Sequence, residues 1–173
     1  MTKKNKIILI VVALIIIIQL IPVDKSVPED ITTNDLFTVV DVDPQIQEML
    51  KVACYDCHSY QTVYPWYSGI APISWWTMNH INEGREHLNF SEWGTYEAKK
   101  AAHKAEEIAE EVEEGEMPLN SYVMMHSGAL LSKEDNDKLV SWAKNLEKEI
   151  KASAGIQGGG EEEHEEEHEE EHH

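Results

Sequence analysis

The sequence predicts a mostly α-helical domain, and three observations carry that prediction. No stretch alternates apolar and polar residues over strand length. Three stretches after residue 43 carry apolar residues at helical spacing, each behind a recognisable start signal. The 173 residues hold one domain's worth of core.

Taken in order, Ile7 to Val23 reads IILIVVALIIIIQLIPV behind Lys3, Lys4 and Lys6. This run is at the short end of a bilayer span and is read as an N-terminal transmembrane helix. A cleavable signal peptide competes with that reading, but the segment after the run lacks a small-x-small cleavage pattern, so an uncleaved anchor is favoured. A buried core helix fits poorly, because the run has no polar face. On either export reading the lysines stay inside, and the rest of the chain lies on the outer face of the cytoplasmic membrane as a single-pass protein. Residues 24–42, with Pro28 and several acids, read as a tether.

Asp43 offers an N-cap and Pro44 suits the first helical position of QIQEMLKVAC, which places Ile46, Met49, Leu50 and Ala53 on one face. Residues 55–93 hold most of the aromatic side chains and prolines 65 and 72 without a sustained period, so short helices and loops around something large are expected there. Thr95 can cap a long helix that Gly115 stops, with a thin stripe of Ala101, Ala105, Ile108 and Val112. Ser132 with Asp135 resembles a capping box before a last helix whose face is Leu139, Trp142, Ala143, Leu146 and Ile150. The organisation is therefore an anchor at 1–23, a tether at 24–42, a folded domain at 43–152, and a Gly-rich linker with a Glu/His tail at 153–173.

The net charge of −19 divides unevenly. Nine glutamates lie in residues 161–173, while residues 24–160 carry 24 acids against 11 basic residues and are acidic in their own right. With a single arginine and lysines diluted among glutamates, nucleic acid is excluded as a natural partner. An acidic body would instead steer toward a redox protein with a basic docking face, at a rate that falls with salt.

The two cysteines sit in Cys54-Tyr55-Asp56-Cys57-His58, the C-x-x-C-H pattern of c-type haem attachment. Two thiols one helical turn apart can each bond one vinyl group of the same porphyrin, which brings the adjacent imidazole under the iron. A zinc site would need two further ligands, and a thioredoxin-like pair would need a strand before it and a helix after it. One haem c, covalent through Cys54 and Cys57 with His58 as iron ligand, accounts for both cysteines.

The sixth iron position has several candidates: Met78, Met117, Met124 and Met125, and His80, His87, His103 and His126. Met117 is favoured because Pro118 stiffens an extended loop just past Gly115, where a thioether can be presented without helix packing competing for it. The choice among Met117, Met124, Met125 and a histidine stays open.

Together, CYDCHSYQTVYPWYSGIAPISWW, HINEGREHLNFSEW and GEMPLNSY with the final helix resemble the haem-binding domain family of small bacterial exported or membrane-anchored proteins, and more broadly class I c-type cytochromes. The resemblance runs from about Asp43 to Ile150. It implies a class I cytochrome c-like helical domain wrapped around the haem, with Cys54 and Cys57 as attachment points, His58 as proximal ligand and Met117 at the Met-Pro distal position.

A haem pocket combines aromatic walls with a few donors, for which Trp66, Tyr67, Trp75, Trp76 and Trp93 are candidates, Trp66 and Trp76 foremost. Arg85 is a candidate propionate partner because its fork matches a carboxylate; a surface ion pair with Glu83 or Glu86 is the alternative. The expected function is one-electron transfer by a His/Met-ligated monohaem cytochrome, an electron carrier more than a catalyst. The alternative is a peroxidase-like enzyme or a gas or redox sensor with a displaceable sixth ligand. In the tail, His164, His168 and His172 recur every four residues and could take a divalent transition metal, against the plain reading of a solvated tail.

Overall fold

The computed structural model describes residues 2–156, and the described residues contain no strand. The tail histidines His164, His168 and His172 lie outside the described residues.

Helix α1 spans Lys3–Ile18 and buries none of its residues. The apolar run read as a transmembrane helix over Ile7–Val23 is thus helical only in its first part. Sixteen residues rise about 24 Å, short of a hydrocarbon core of about 30 Å. Among the described residues no helix is long and apolar enough to cross a membrane. At the end of the helix the Gln19 amide joins α1 to the domain: Gln19 Nε2 donates to Ile15 O and to Ala71 O, each at 3.0 Å, and Gln19 Oε1 accepts from Ala71 N at 3.0 Å.

In the segment read as a tether, residues 35–42 enter the folded body. Asp35 caps the short helix α2, Leu36–Val39, and Leu36 and Val42 are buried in the core. Helix α3, Pro44–Ala53, forms behind Asp43, whose carboxylate accepts from Gln45 N, and it buries the expected Ile46, Met49, Leu50 and Ala53. A single turn, α4, Tyr55–His58, follows directly.

The middle holds one longer element than its lack of period suggested: α5, Ile73–His87, between 3₁₀ turns at Trp66–Gly69 and Phe90–Thr95. Only Ser74, Met78 and Ile81 of α5 are fully buried, too sparse a stripe to register as periodic.

Helix α6, Ala98–Glu114, starts behind Glu97 and not Thr95, whose hydroxyl instead closes the preceding 3₁₀ turn on Glu92 O. The α6 face adds Ala102 and Ala109 to the four expected positions, and these small side chains let α8, Lys133–Ser153, lie close against it. The α6–α8 pair is the most extensive helix contact in the structure. Ser132 caps α8 as expected, its Oγ accepting from Asp135 N at 3.1 Å, while the Asp135 carboxylate accepts from the Ser132 hydroxyl at 2.7 Å. Between α6 and α8 lie the short helix α7, Asn120–Met125, and a 3₁₀ turn at Ser127–Ala129. The core joins α3, α6 and α8 to a stack in which Tyr55 lies between Phe37 and Phe90, with centroids 4.7 and 5.0 Å away.

Candidate functional site

Chain geometry around the cysteines follows from local hydrogen bonds. Helix α3 ends at Ala53, and Cys54 O then accepts from both Cys57 N at 3.1 Å and His58 N at 2.9 Å. This turn carries the two thiols one step apart and brings the imidazole to the same side. Asp56, between the cysteines, ties the turn to two distant segments: its carboxylate accepts from Val63 N at 2.8 Å and from Tyr122 OH at 2.8 Å. Tyr55 anchors the turn from behind, donating to the buried carboxylate of Asp35 at 3.1 Å. Asp35 also accepts from Gln61 Nε2 and Phe37 N, so three donors satisfy it.

His58 is oriented by backbone alone. Its Nδ1 lies 2.8 Å from Gly84 O and 3.1 Å from Leu88 O. A carbonyl can only accept, so Nδ1 carries the proton and Nε2 keeps its lone pair free for a metal. Fixing the metal-binding nitrogen through the other nitrogen is the usual second role of a ligating histidine's surroundings. Burial also holds the His58 pKa below its ordinary value, against the opposing pull of the two carbonyls, so the ring stays neutral.

Gly84 is the residue that makes this approach possible, and sequence reasoning gave it no role. A Cβ on Gly84 would sit 3.0 Å from Cys57 O and 3.3 Å from Cys57 C and Cβ. Helix α5 therefore rests its backbone directly on the cysteine turn.

The turn opens onto a cavity of about 520 Å³, within the range of small-molecule and cofactor sites. Cys54, Cys57 and His58 line it, with Gly84, Leu88 and Phe90 from α5 and the segment after it. Ile108 and Val112 of α6 supply further apolar wall, and Met117, Pro118, Leu119 and Tyr122 complete it. The exposed Glu83, His87 and Glu111 mark its open side. A second groove, of about 990 Å³, runs between α3 and α8 over Asp43, Lys133, Asp137 and Lys138 and contains no cysteine, histidine or methionine.

Met117 is the one methionine in the cavity lining. It is placed by the end of α6: Gly115 adopts φ 77°, its amide donates to Val112 O, and both Glu116 N and Met117 N donate to Glu111 O at 3.0 Å. This is a Schellman closure, which needs the left-handed residue that glycine supplies, and it delivers Met117 back toward the helix it has just left. The other candidates fall elsewhere, apart from His80 and His87, which line the cavity. Met78 is core, Met124 and Met125 are exposed, His103 faces Glu106 and Glu107, and His126 stacks on Tyr122.

None of the sequence-predicted pocket residues Arg85, Trp66, Tyr67, Trp75, Trp76 and Trp93 lines the cavity. Arg85 donates through Nε to Ser59 O at 2.9 Å and through Nη2 to Thr62 Oγ1 at 2.9 Å, and lies over the Tyr60 ring. It holds the loop that leaves His58, and neither Glu83 nor Glu86 is its partner in these bonds. Trp66 and Trp76 are largely exposed, at 82% and 54%.

Burial pushes both thiols up, Cys54 to about 12, with Cys57 adding to the effect, and Cys57 to about 11, with Asp56 raising and Arg85 opposing. They are therefore neutral thiols at physiological pH, unlike the exposed thiolates of redox and metal-scavenging sites.

The arrangement fits a haem. Two neutral thiols and an imidazole with a free Nε2 border one cavity with apolar walls, and a thioether reaches the same space. Among the described residues no group of three or more His, Cys, Asp or Glu side chains is placed to hold a metal ion by itself. A family model described as "Haem-binding domain" matches residues 13–145. No curated protein and no solved structure matches the chain. The match spans the cysteine turn, the cavity and all the helices that build it, and the chain belongs to the haem-binding domain family.

Proposed function

We propose that this haem protein is a membrane-anchored monohaem c-type cytochrome that transfers single electrons at the outer face of the cytoplasmic membrane. The observation that carries the reading is His58, whose Nδ1–H is committed to Gly84 O and Leu88 O while its Nε2 borders a cavity with a single methionine, Met117.

In this reading Cys54 and Cys57 hold haem c through two thioether links, His58 is the proximal ligand and Met117 the distal one. The bound group supplies a one-electron iron couple, and His/Met ligation favours its reduced state over bis-His ligation. The protein's own part is positioning and exclusion of water. The carbonyls of Gly84 and Leu88 fix the imidazole plane, Asp56 and Tyr122 hold the cysteine turn against α7, and Leu88, Phe90, Ile108 and Val112 keep the surroundings apolar. No proton transfer and no substrate subsite is needed.

The acidic body supports a basic docking partner, and glutamates 83, 107 and 111 lie at the cavity itself. Electron-transfer rates with such a partner should fall as ionic strength rises; salt-independent rates count against this choice of partner. Helix α1, apolar on every side and wholly exposed, supports anchorage in lipid, with its lysines on the cytoplasmic side.

The test is the absorption spectrum of purified protein, oxidised, reduced and as a pyridine adduct. Two thioether links, a low-spin reduced form and a Met-to-iron charge-transfer band are expected, with no response to carbon monoxide. Rapid carbon monoxide binding would sink the electron-carrier reading. It would favour a sensor or peroxidase-like site instead, for which His80 and His87 in the cavity lining are the specific support.

A further inference from the structure

Helix α1 does not simply trail from the domain. Beyond the paired bonds of Gln19 with Ala71, Trp75 Nε1 donates to Ile21 O at 3.3 Å and Lys25 Nζ donates to Ser68 Oγ at 3.0 Å. These bonds clamp the foot of α1 onto residues 68–75. On the same segment an apolar edge is left uncovered: Trp66 is 82% exposed, Ile70 43%, Ile73 45% and Trp76 54%.

We propose that this edge rests in the headgroup layer of a lipid bilayer, so that the domain lies flat against the membrane that α1 enters. The inference rests on the reading of α1 as a lipid anchor and adds a second contact to it.

Four observations select lipid as the occupant. The edge is continuous with α1, whose side chains from Ile7 to Ile17 are all exposed with no polar face to offer water. A helix apolar all round is solvated by protein core or by lipid, and no part of the described chain covers this one. Second, the interval from Ser59 to Asn82 contains no Asp, Glu, Lys or Arg, in a chain that is 27% charged. Anionic headgroups would repel the acidic body, and this interval is where no carboxylate opposes contact. Third, tryptophan is the residue that belongs at this depth, because its ring is apolar and its N–H finds partners among headgroups. Fourth, the helical apolar stretch Ile7–Ile18 rises only about 18 Å, and a span shorter than the hydrocarbon layer draws its flanking residues down to the interface.

The contact would also orient the site. Ile73 and Trp76 lie in the first turn of α5, and the cavity-lining residues of that helix begin at His80. One helix rising about 12 Å from Trp76 to Gly84 therefore links the membrane surface to the haem-holding turn.

The test uses the full haem-loaded chain in phosphatidylcholine vesicles, photolabelled with a bilayer-partitioning iodophenyl diazirine and mapped by mass spectrometry. Adducts are expected on α1 and on Trp66, Ile70, Ile73 and Trp76, several-fold above those on Met124 and Leu130, which are 82% and 71% exposed but lie elsewhere. The double variant Trp66→Ser, Trp76→Ser should lose the labelling of this edge and keep that of α1. Labelling confined to α1 overturns the proposal and leaves the edge to a protein partner or a second copy. Labelling of neither overturns the anchor reading as well.

Discussion

Replacing Gly84 by alanine tests the central geometric claim, because two effects of opposite sign meet at one atom. In the interior of a helix, glycine to alanine should stabilise by about 1 kcal/mol through propensity alone. Here the added Cβ would lie 3.0 Å from Cys57 O and 3.3 Å from Cys57 C and Cβ, closer than the ordinary 3.4–4 Å. Two of these atoms are backbone and the third is the Cβ fixed to it, so they cannot swing aside as a side-chain end would. The turn that carries them is held by the Phe37–Tyr55–Phe90 stack and by the Asp56 bonds. Overpacking of this kind costs about 1–3 kcal/mol. Pushing α5 away also lengthens the bond from His58 Nδ1 to Gly84 O, for about 0.5–1.5 kcal/mol more. Subtracting the propensity gain leaves a net loss of about 1–3 kcal/mol, measurable by urea unfolding of the haem-loaded chain. A changed visible spectrum should accompany the loss, because His58 moves with the carbonyl. Gly69→Ala, where the new Cβ meets nothing within 4 Å, is the control and should stay near wild type. A Gly84→Ala protein that is more stable than wild type, with unaltered haem content and spectrum, would refute the reasoning.

Met117→Ala should abolish the Met-to-iron charge-transfer band and admit carbon monoxide to the reduced protein, whereas Met124→Ala and Met125→Ala should leave both properties unchanged; an unaltered spectrum in Met117→Ala would show that another residue fills the sixth position. The pKa of Tyr55 is raised, by burial first and then by Asp35, and that of Tyr122 by burial and then Asp56. Both phenols therefore stay neutral in the folded chain after they would ionise in the unfolded one. This stability is fully present below about pH 10 and is lost as pH climbs above it, by up to about 1.4 kcal/mol per pH unit for the buried Tyr55 and by less for the half-buried, solvent-screened Tyr122. Alkaline unfolding of Tyr55→Phe should show a shallower slope, and an unchanged slope would contradict the assignment. Asp56→Ala and Tyr122→Phe should each cost about 1–2 kcal/mol, and a double-mutant cycle should return a coupling near 1 kcal/mol; additive losses would mean that the 2.8 Å bond does not join the cysteine turn to α7 in solution.

What the sequence disclosed depended on whether the stabilising groups were side chains. Helices α3 and α8 were legible because Asp43 and Ser132 are side-chain caps, Pro44 suits the first helical position, and the buried faces are apolar at regular spacing. Helix α6 was legible at its Gly115 end, but its start lay past Thr95, which caps the 3₁₀ turn before it. Helix α5 was hidden because its role is contact through backbone: Gly84 offers a surface and a carbonyl, and neither leaves a periodic signal. Arg85 misled for a related reason. Its donors go to Ser59 O and Thr62 Oγ1, and a carbonyl acceptor has no residue type by which to be anticipated. Cys54, Cys57 and His58 could be proposed at once, since covalent and metal chemistry demand particular side chains, and Met117 could be proposed from the glycine and proline that flank it; the structure brings all four to one cavity.

The division of labour within the chain follows from the same distinction. The α6–α8 pair with α3 is joined mostly by aliphatic side chains and alanines. Residues 54–96 are held differently, by the Asp35, Asp56, Ser59, Asn89 and Arg85 bonds and by one line of stacked rings. Such directional bonds fix geometry to tenths of an ångström but bury little apolar area, so they position a ligand well and stabilise a fold modestly. A cavity of about 520 Å³ between the two parts is correspondingly large for the cores on either side. An apolar group filling it would join the aliphatic scaffold of α6 to the hydrogen-bonded cysteine turn. On the proposed reading, a haem held in this cavity would supply contacts that the side chains of the cysteine segment do not provide.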